Sequence, residues 1–388
     1  MSGPLSGVKV LELASIGPGP FCAMLLADMG ADVLRVDRLE PADLGLPLDP
    51  KFDVMARGRR SIGLDLKRPQ GVALVLELVA KADVLIEGFR PGVTERLGIG
   101  PDACLRRNPR LIYGRVTGWG QDGPLAQSAG HDINYIAITG ALHAIGCAGQ
   151  APVPPLNLVG DYGGGAMYLA FGIACALVER NTSRRGQVID AAMSDGAASL
   201  MSIFYSRMAA GAWRDERGAN AIDGGAPWYG VYETADGKYL SIGAIEGRFY
   251  AKLIARLAEV LRLDASAWPR QHDRARWTEL RTRLSDAFKR KTRDEWCAAL
   301  DGHDVCFAPV LSLTEAPSHP HNRSRATFMQ RDDVMQPSPA PRFSRTPGQI
   351  ARRAPQRGEG GAAALAEWGF DTAEIARFRT AGALMTDE

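Results

Sequence analysis

No two cysteines in this chain stand at CxxC spacing; the six present, Cys22, Cys104, Cys147, Cys175, Cys297 and Cys306, are scattered. That excludes a zinc ribbon and a dithiol redox motif. Several lie in apolar runs, so they read as reduced, buried thiols, and the cytoplasm is the expected location. Histidine is as sparse, at six. No HExxH motif or carboxylate cluster accompanies it, so no metal site is expected. No segment approaches roughly 18 uninterrupted apolar residues, so nothing is expected to span a membrane. The start, MSGPLSGVKVLEL, has no basic region before a long apolar stretch, and the end, LMTDE, is not an SKL-type address. The net charge is only +2, which gives no bulk attraction for nucleic acid or a membrane surface. Lysine is scarce, with eight among 46 basic residues. The rest are arginines, whose planar fork grips phosphate at two points.

What is present is an ordinary globular balance, 46% hydrophobic and 23% charged. A length of 388 residues suggests two or three domains. Short apolar runs at 8–13, 32–36, 83–87 and 111–118 read as buried strands. Helical patterns over Pro20–Gly30 and Pro69–Ala82 separate them. Strand–helix–strand order predicts an α/β fold with a doubly wound, Rossmann-like parallel sheet. Gly163–Glu179 is an apolar helix without a polar face, so burial is expected. Around 220 the pattern changes. WYGVYET and KYLSIGAI flank Ala235-Asp236-Gly237, a hairpin pattern, and the amphipathic helix FYAKLIARLAEVL follows. The expected organisation is a large domain over 1–215, a smaller α+β domain over 216–330, and a Pro- and Arg-rich strap with a final helix over 331–388. Asp371 and Glu374 form a capping box for that helix.

One pattern invites a dinucleotide-site reading and fails. Gly17-Pro18-Gly19-Pro20 follows a strand, and Asp37 ends the next one. The third glycine position is Cys22, however, and two prolines remove N–H donors a pyrophosphate needs. A rigid turn is the preferred reading.

Chemistry centres on few residues. His131 lies where a polar loop meets a helix, and histidine titrates near neutral pH. A loop histidine satisfied by its surroundings is the plainer alternative. Asp161 precedes Tyr162-Gly163-Gly164-Gly165. It reads either as a helix N-cap or as a carboxylate beside open N–H groups that hold an enolate oxygen. Glu246 opens a helix, where it complements the helix dipole or supports a histidine. Arg38, the stretch Arg57-Gly58-Arg59-Arg60, Arg90 and Arg96 are phosphate candidates. Arg38, Arg90 and Arg96 follow strands, at the edge where open α/β sheets bind ligands.

Together, PLSGVKVLELASIGPGPFCAMLLADMGADVLRVDR, GRRSIGLDLK, EGFRPGVTERLG, GHDINY, GDYGGG and DGKYLSIGAIE resemble the family III CoA-transferase superfamily. The resemblance is nearest to its α-methylacyl-CoA racemase branch and runs from residue 1 to about 330. It implies an isomerase acting on acyl-CoA and an interlocked homodimer. The site would lie between the large domain of one subunit and the small domain of the other. By resemblance His131 and Asp161 transfer protons and Glu246 supports His131. CoA contacts are implied from Arg38, Leu64, Asp65, Leu66, Lys67, Gly88, Phe89, Arg90, Arg96, Gly130, Asp132, Ile133, Asn134 and Tyr135. CoA enters as part of the substrate, and no separate cofactor or metal is expected. Transferase members share the aspartate, which attacks the thioester, but usually lack the histidine and carry a glycine-rich loop that Gly224-Gly225 does not match. The expected reaction is interconversion of 2-methylacyl-CoA epimers through an enolate. A CoA-transferase with Asp161 as nucleophile and a non-catalytic acyl-CoA-binding protein are the alternatives.

Overall fold

The computed structural model describes residues 3–40 and 48–385. The readings of the two chain ends rest partly on Met1, Ser2 and residues 386–388, which lie outside the described residues. In chain order the first elements are β1 (Lys9–Leu13), α1 (Pro18–Asp28), β2 (Asp32–Asp37), β3 (Arg59–Leu64) and α2 (Pro69–Val79). Then come β4 (Val84–Glu87), α3 (Val93–Arg96), α4 (Pro101–Arg107), β5 (Ile112–Thr117), α5 (Asp132–Ala137) and α6 (Ala141–Ala144). A π-helical segment, Leu158–Ala166, runs into α7 (Met167–Ser183), followed by β6 (Val188–Ala192), α8 (Met193–Leu200) and α9 (Ser202–Ala209). The hairpin β7 (Tyr229–Glu233) and β8 (Tyr239–Gly243) precedes α10 (Gly247–Leu261), α11 (Trp277–Phe288), α12 (Arg293–Leu300) and β9 (Phe307–Pro309). The chain finishes with α13 (Pro320–Ser324), β10 (Phe328–Arg331), β11 (Val334–Pro337), α14 (Gly361–Glu367), α15 (Thr372–Thr380) and β12 (Leu384–Met385).

Two units result. The first comprises 3–40, 48–139, 156–201 and 326–385; the second comprises 140–155 and 202–325. The first holds a seven-stranded sheet in the order β12-β3-β2-β1-β4-β5-β6. Six strands are parallel, and β12 is an antiparallel edge on β3. This is the α/β architecture expected from strand–helix–strand order. Alternation along the strands splits the core in two. Leu11, Leu34, Ile62 and Leu85 face one layer with Leu74 of α2 and Phe378 of α15. Val10, Val33, Val84 and Ile112 face the other with Cys22 of α1 and Ile173 of α7. Side chains that alternate between faces serve two cores only when helices cover both sides. In the second unit the three-stranded antiparallel sheet β7-β8-β9 and α10 share one core around Trp228, Leu253 and Trp296.

Several expectations shift. The first helix starts at Pro18, not Pro20. Strands β3 and β6 are additional: β3 opens on Arg59-Arg60, read above as phosphate candidates, and β6 has an exposed start. Cys147 and Cys175 are exposed rather than buried. The apolar helix expected over 163–179 begins at Leu158 and is not buried all round. Leu169, Ile173, Ala176 and Arg180 of α7 are buried, whereas Phe171 and Val178 are 69% and 71% exposed. The continuous helix Leu158–Ser183 is long and apolar enough to cross a membrane by length and composition. Its packing on β5 and β6, with buried Arg180 donating to Asp83, is that of a crossover helix in an α/β unit.

The C-terminal capping box forms as the spacing requires. Asp371 accepts from the Glu374 N–H, and Glu374 accepts from the Asp371 N–H. Asp371→Ala is expected to cost about 1 kcal/mol, read as a lower urea midpoint; an unchanged midpoint would contradict a stabilising cap.

Candidate active site

The strand order reverses between β1 and β4. Crossovers leave these neighbours in opposite directions, which opens a crevice beyond their carboxyl ends. Ser15 follows β1 and Gly88 follows β4. The Ser15 hydroxyl lies so close to Gly19 and Gly88 that a Cβ there would come within 2.6 and 3.1 Å of it. Gly17 has φ 67°, a conformation that favours glycine. A Cβ on it would stand 3.0 Å from Asp161 Oδ2. The Gly17–Pro20 turn therefore lies directly against the Asp161 carboxylate. Gly17 is the N-cap of α1, and Pro18-Gly19-Pro20, read above as a rigid turn, form the first turn of that helix.

Asp161 sits half-buried in the π-helical segment, a distortion that often marks functional sites. Asn157 Nδ2 donates to Asp161 Oδ2 at 3.1 Å. The N–H groups of Gly160 and Asp161 both donate to Asp132 Oδ2, each at 2.7 Å. Asp161 is thus not the N-cap; Asp132, from α5, satisfies those donors. Burial raises the Asp161 pKa, the Asn157 hydrogen bond opposes that, the Asp132 charge raises it further and His131 lowers it. The neighbouring glycines have close packing partners. Cβ atoms on Gly164 and Gly196 would collide with backbone of α8 and of the segment respectively. The missing side chain at Gly164 therefore serves close contact with α8.

His131 is exposed and immediately precedes α5. Its N–H donates to Asn134 Oδ1 at 3.0 Å. Ile133 and Asn134 are exposed. Tyr135 is buried edge-on against Trp119, and its hydroxyl donates to the Gly130 carbonyl. Burial first, then the Asp161 charge, pushes the Tyr135 pKa up to about 12, while Arg90 opposes this. The first unit therefore brings His131, Asp132, Tyr135, Asp161 and Arg90 into one electrostatic neighbourhood.

The remaining candidates divide. Arg38, Lys67, Arg90 and Arg96 are exposed; the first three follow the carboxyl ends of β2, β3 and β4. Leu64 is buried in the core, and Leu66 and Phe89 pack against it, so their side chains serve packing. Asp65 Oδ1 accepts from the Lys67 N–H at 3.0 Å. The Phe89 N–H donates to Glu87 Oε2 at 2.7 Å, which fixes the Gly88–Arg90 turn. Arg57, Arg59 and Arg60 are not phosphate ligands. They are buried against Asp28, Glu12 and Asp32. Glu246 belongs to the second unit, where it is exposed and its carbonyl accepts the Phe249 and Tyr250 N–H groups at the start of α10. Sequence reasoning missed Ser15 and Asn157, and it read Gly17 only as part of a turn. Only Asn157 left a trace, one helical turn before Asp161.

The family model of CoA-transferase family III matches residues 5–360. The chain belongs to this family. The family III match takes in all the site residues above and most of the strap. A mouse protein named alpha-methylacyl-CoA racemase is 47% identical over 373 residues, covering 96% of this chain and 95% of the mouse protein. A human protein of the same name is 44% identical over 375 residues, covering 96% and 95%. The crystal structure of a CAIB/BAIF family protein from Brucella suis superposes with TM-score 0.82 at 28% identity, covering 95% of this chain and 100% of that one.

Proposed function

We propose that this family III chain is an α-methylacyl-CoA racemase, with His131 and Asp161 as its two proton-transfer groups. The observation that carries the reading is geometric: Asp132, the residue next to His131, binds the main chain at Asp161, and the Asp161 carboxylate lies against Gly17 beyond β1 at the switch point. The high identity to proteins named for that activity supports the same reading.

A thioester acidifies its α-hydrogen. One group removes it from one face, an enolate forms, and the other group returns a proton to the opposite face. Burial raises the Asp161 pKa, a direction that favours proton uptake by a group that must both take and return a proton. The Gly163–Gly165 stretch beside Asp161 and the N-terminal end of α5 are the two candidates for holding the enolate oxygen. Arg38, Lys67, Arg90 and Arg96 are free to meet CoA phosphates, since each is exposed. CoA arrives as part of the substrate.

The homodimer belongs to this proposal too. In the first unit Phe171 and Val178 leave an apolar stripe on α7. In the second, α9 buries none of its residues although it carries Ile203, Tyr205 and Met208. Apolar helix faces of this kind are normally covered. In an interlocked pair the partner covers them and Glu246 comes to support a histidine across subunits. The proposed setting is the cytoplasm, where six unpaired thiols stay reduced.

The test is incubation with a single epimer of a 2-methylacyl-CoA in deuterated water. Epimerisation with α-deuterium uptake is the expected result. CoA transfer to a free acid without exchange would instead assign Asp161 as a nucleophile. Tight binding without either reaction would make the chain a binding protein.

A further inference from the structure

We propose that Asp132 and Asn157 are positioning residues for the proton-transfer pair: Asp132 clamps the main chain at Asp161, and Asn157 holds its carboxylate. This rests on the racemase reading above. Asp132 is the residue directly after His131, so one peptide bond links the histidine to the clamp on its counterpart.

The geometry is specific. Asp132 is 6% exposed, and its Oδ2 receives both the Gly160 and the Asp161 N–H. These are donors that the start of a helical segment leaves unsatisfied. Gly160 admits the contact because a Cβ there would fall 2.6 Å from Asp132 Oδ2. The other oxygen, Oδ1, is buried and without a hydrogen-bond partner among the described residues. A carboxylate left so is costly to bury. Its inward-facing carboxylate is committed to Asp161 rather than to CoA, the role the resemblance implied.

The charged and titratable groups acting on Asp161 from α5 are Asp132 and His131, and Asp161 in turn acts on Tyr135. The residues that α1 packs against the segment, Gly17, Pro18 and Phe21, carry no charge. The single carboxylate of α8, Asp195, acts on Asp190 instead. Asp132 and Asn157 push Asp161 in opposite directions, the first toward protonation and the second toward ionisation.

Asp132→Asn keeps an acceptor oxygen for both N–H groups and removes the charge. Asp132→Ala removes both, and Asn157→Ala removes the donor to Asp161. Two readouts apply: amide hydrogen exchange over Leu158–Ala166, and the pH profile of α-deuterium uptake for the epimer on which Asp161 acts as base. That rate falls as pH drops through the Asp161 pKa. Asp132→Asn is expected to move this acidic limb to lower pH and Asn157→Ala to higher pH. Asp132→Ala is expected to speed amide exchange at Gly160 and Asp161, and to lower kcat by about 100-fold with a far smaller change in KM. Unmoved limbs, limbs moved the same way, or unaltered amide exchange in Asp132→Ala would overturn the proposal. If the unaltered protein shows no α-exchange, the racemase reading fails, while amide exchange still decides whether the clamp exists.

Discussion

Replacing His131 with alanine is expected to lower kcat for epimerisation by about 10²–10⁴-fold, the usual worth of a general acid–base group. The substitution is structurally mild. His131 is exposed, and its helix-starting role uses its backbone N–H, bonded to Asn134 Oδ1, which alanine retains. The loss should therefore fall on kcat while acyl-CoA affinity changes little. Asp161→Asn is expected to lose a similar factor with its shape preserved. Epimerisation by His131→Ala close to the unaltered rate would remove the histidine from the reaction and leave Asp161 as the only supported group.

The second large effect is on stability. Glu12 on β1 and Arg59 on β3 form an ion pair at 2.6 Å with both side chains wholly buried. Arg59 also donates to the carbonyls of Met55 and Pro20, which ties β3 to the start of α1 and thus to the Gly17–Pro20 turn. Burial raises the Glu12 pKa and lowers that of Arg59. Both directions mean that desolvation outweighs mutual attraction. The pair is therefore weak as a source of net stability but costly to break. Glu12→Ala leaves a buried uncompensated guanidinium and is expected to cost about 3–5 kcal/mol, measured as the loss in urea unfolding free energy. Adding Arg59→Met should recover part of that loss, because the stranded charge is gone. A Glu12→Ala protein as stable as the parent would show that Arg59 finds water or another partner.

How much of this was legible in the sequence varies by element. The strands at 8–13, 32–36 and 83–87 were visible because short apolar runs bounded by breakers have few other readings. Strand β3 was hidden by Arg59 and Arg60, since a local pattern cannot show that Glu12 and Asp32 await them on β1 and β2. The helix Leu158–Ser183 was legible as apolar. Its exposed stripe was not, because apolarity alone does not distinguish cover by the same chain from cover by a partner. In the site, His131 and Asp161 stood out only through the motifs around them. Asp132 acts through tertiary hydrogen bonds to the Gly160 and Asp161 N–H groups, and Gly164 answers to the backbone of α8, which no local pattern reveals.

The central claim is that two groups serve opposite faces of one α-carbon. The most direct measurement is α-hydrogen exchange in deuterated water for His131→Ala and Asp161→Asn, each given the two 2-methylacyl-CoA epimers separately. With one base removed, the other can still take a proton and return one to the same face. Each variant should therefore exchange one epimer without inverting it, and the two variants should select opposite epimers. Loss of exchange on the same epimer in both variants, or equal exchange of both epimers by either, would contradict the account.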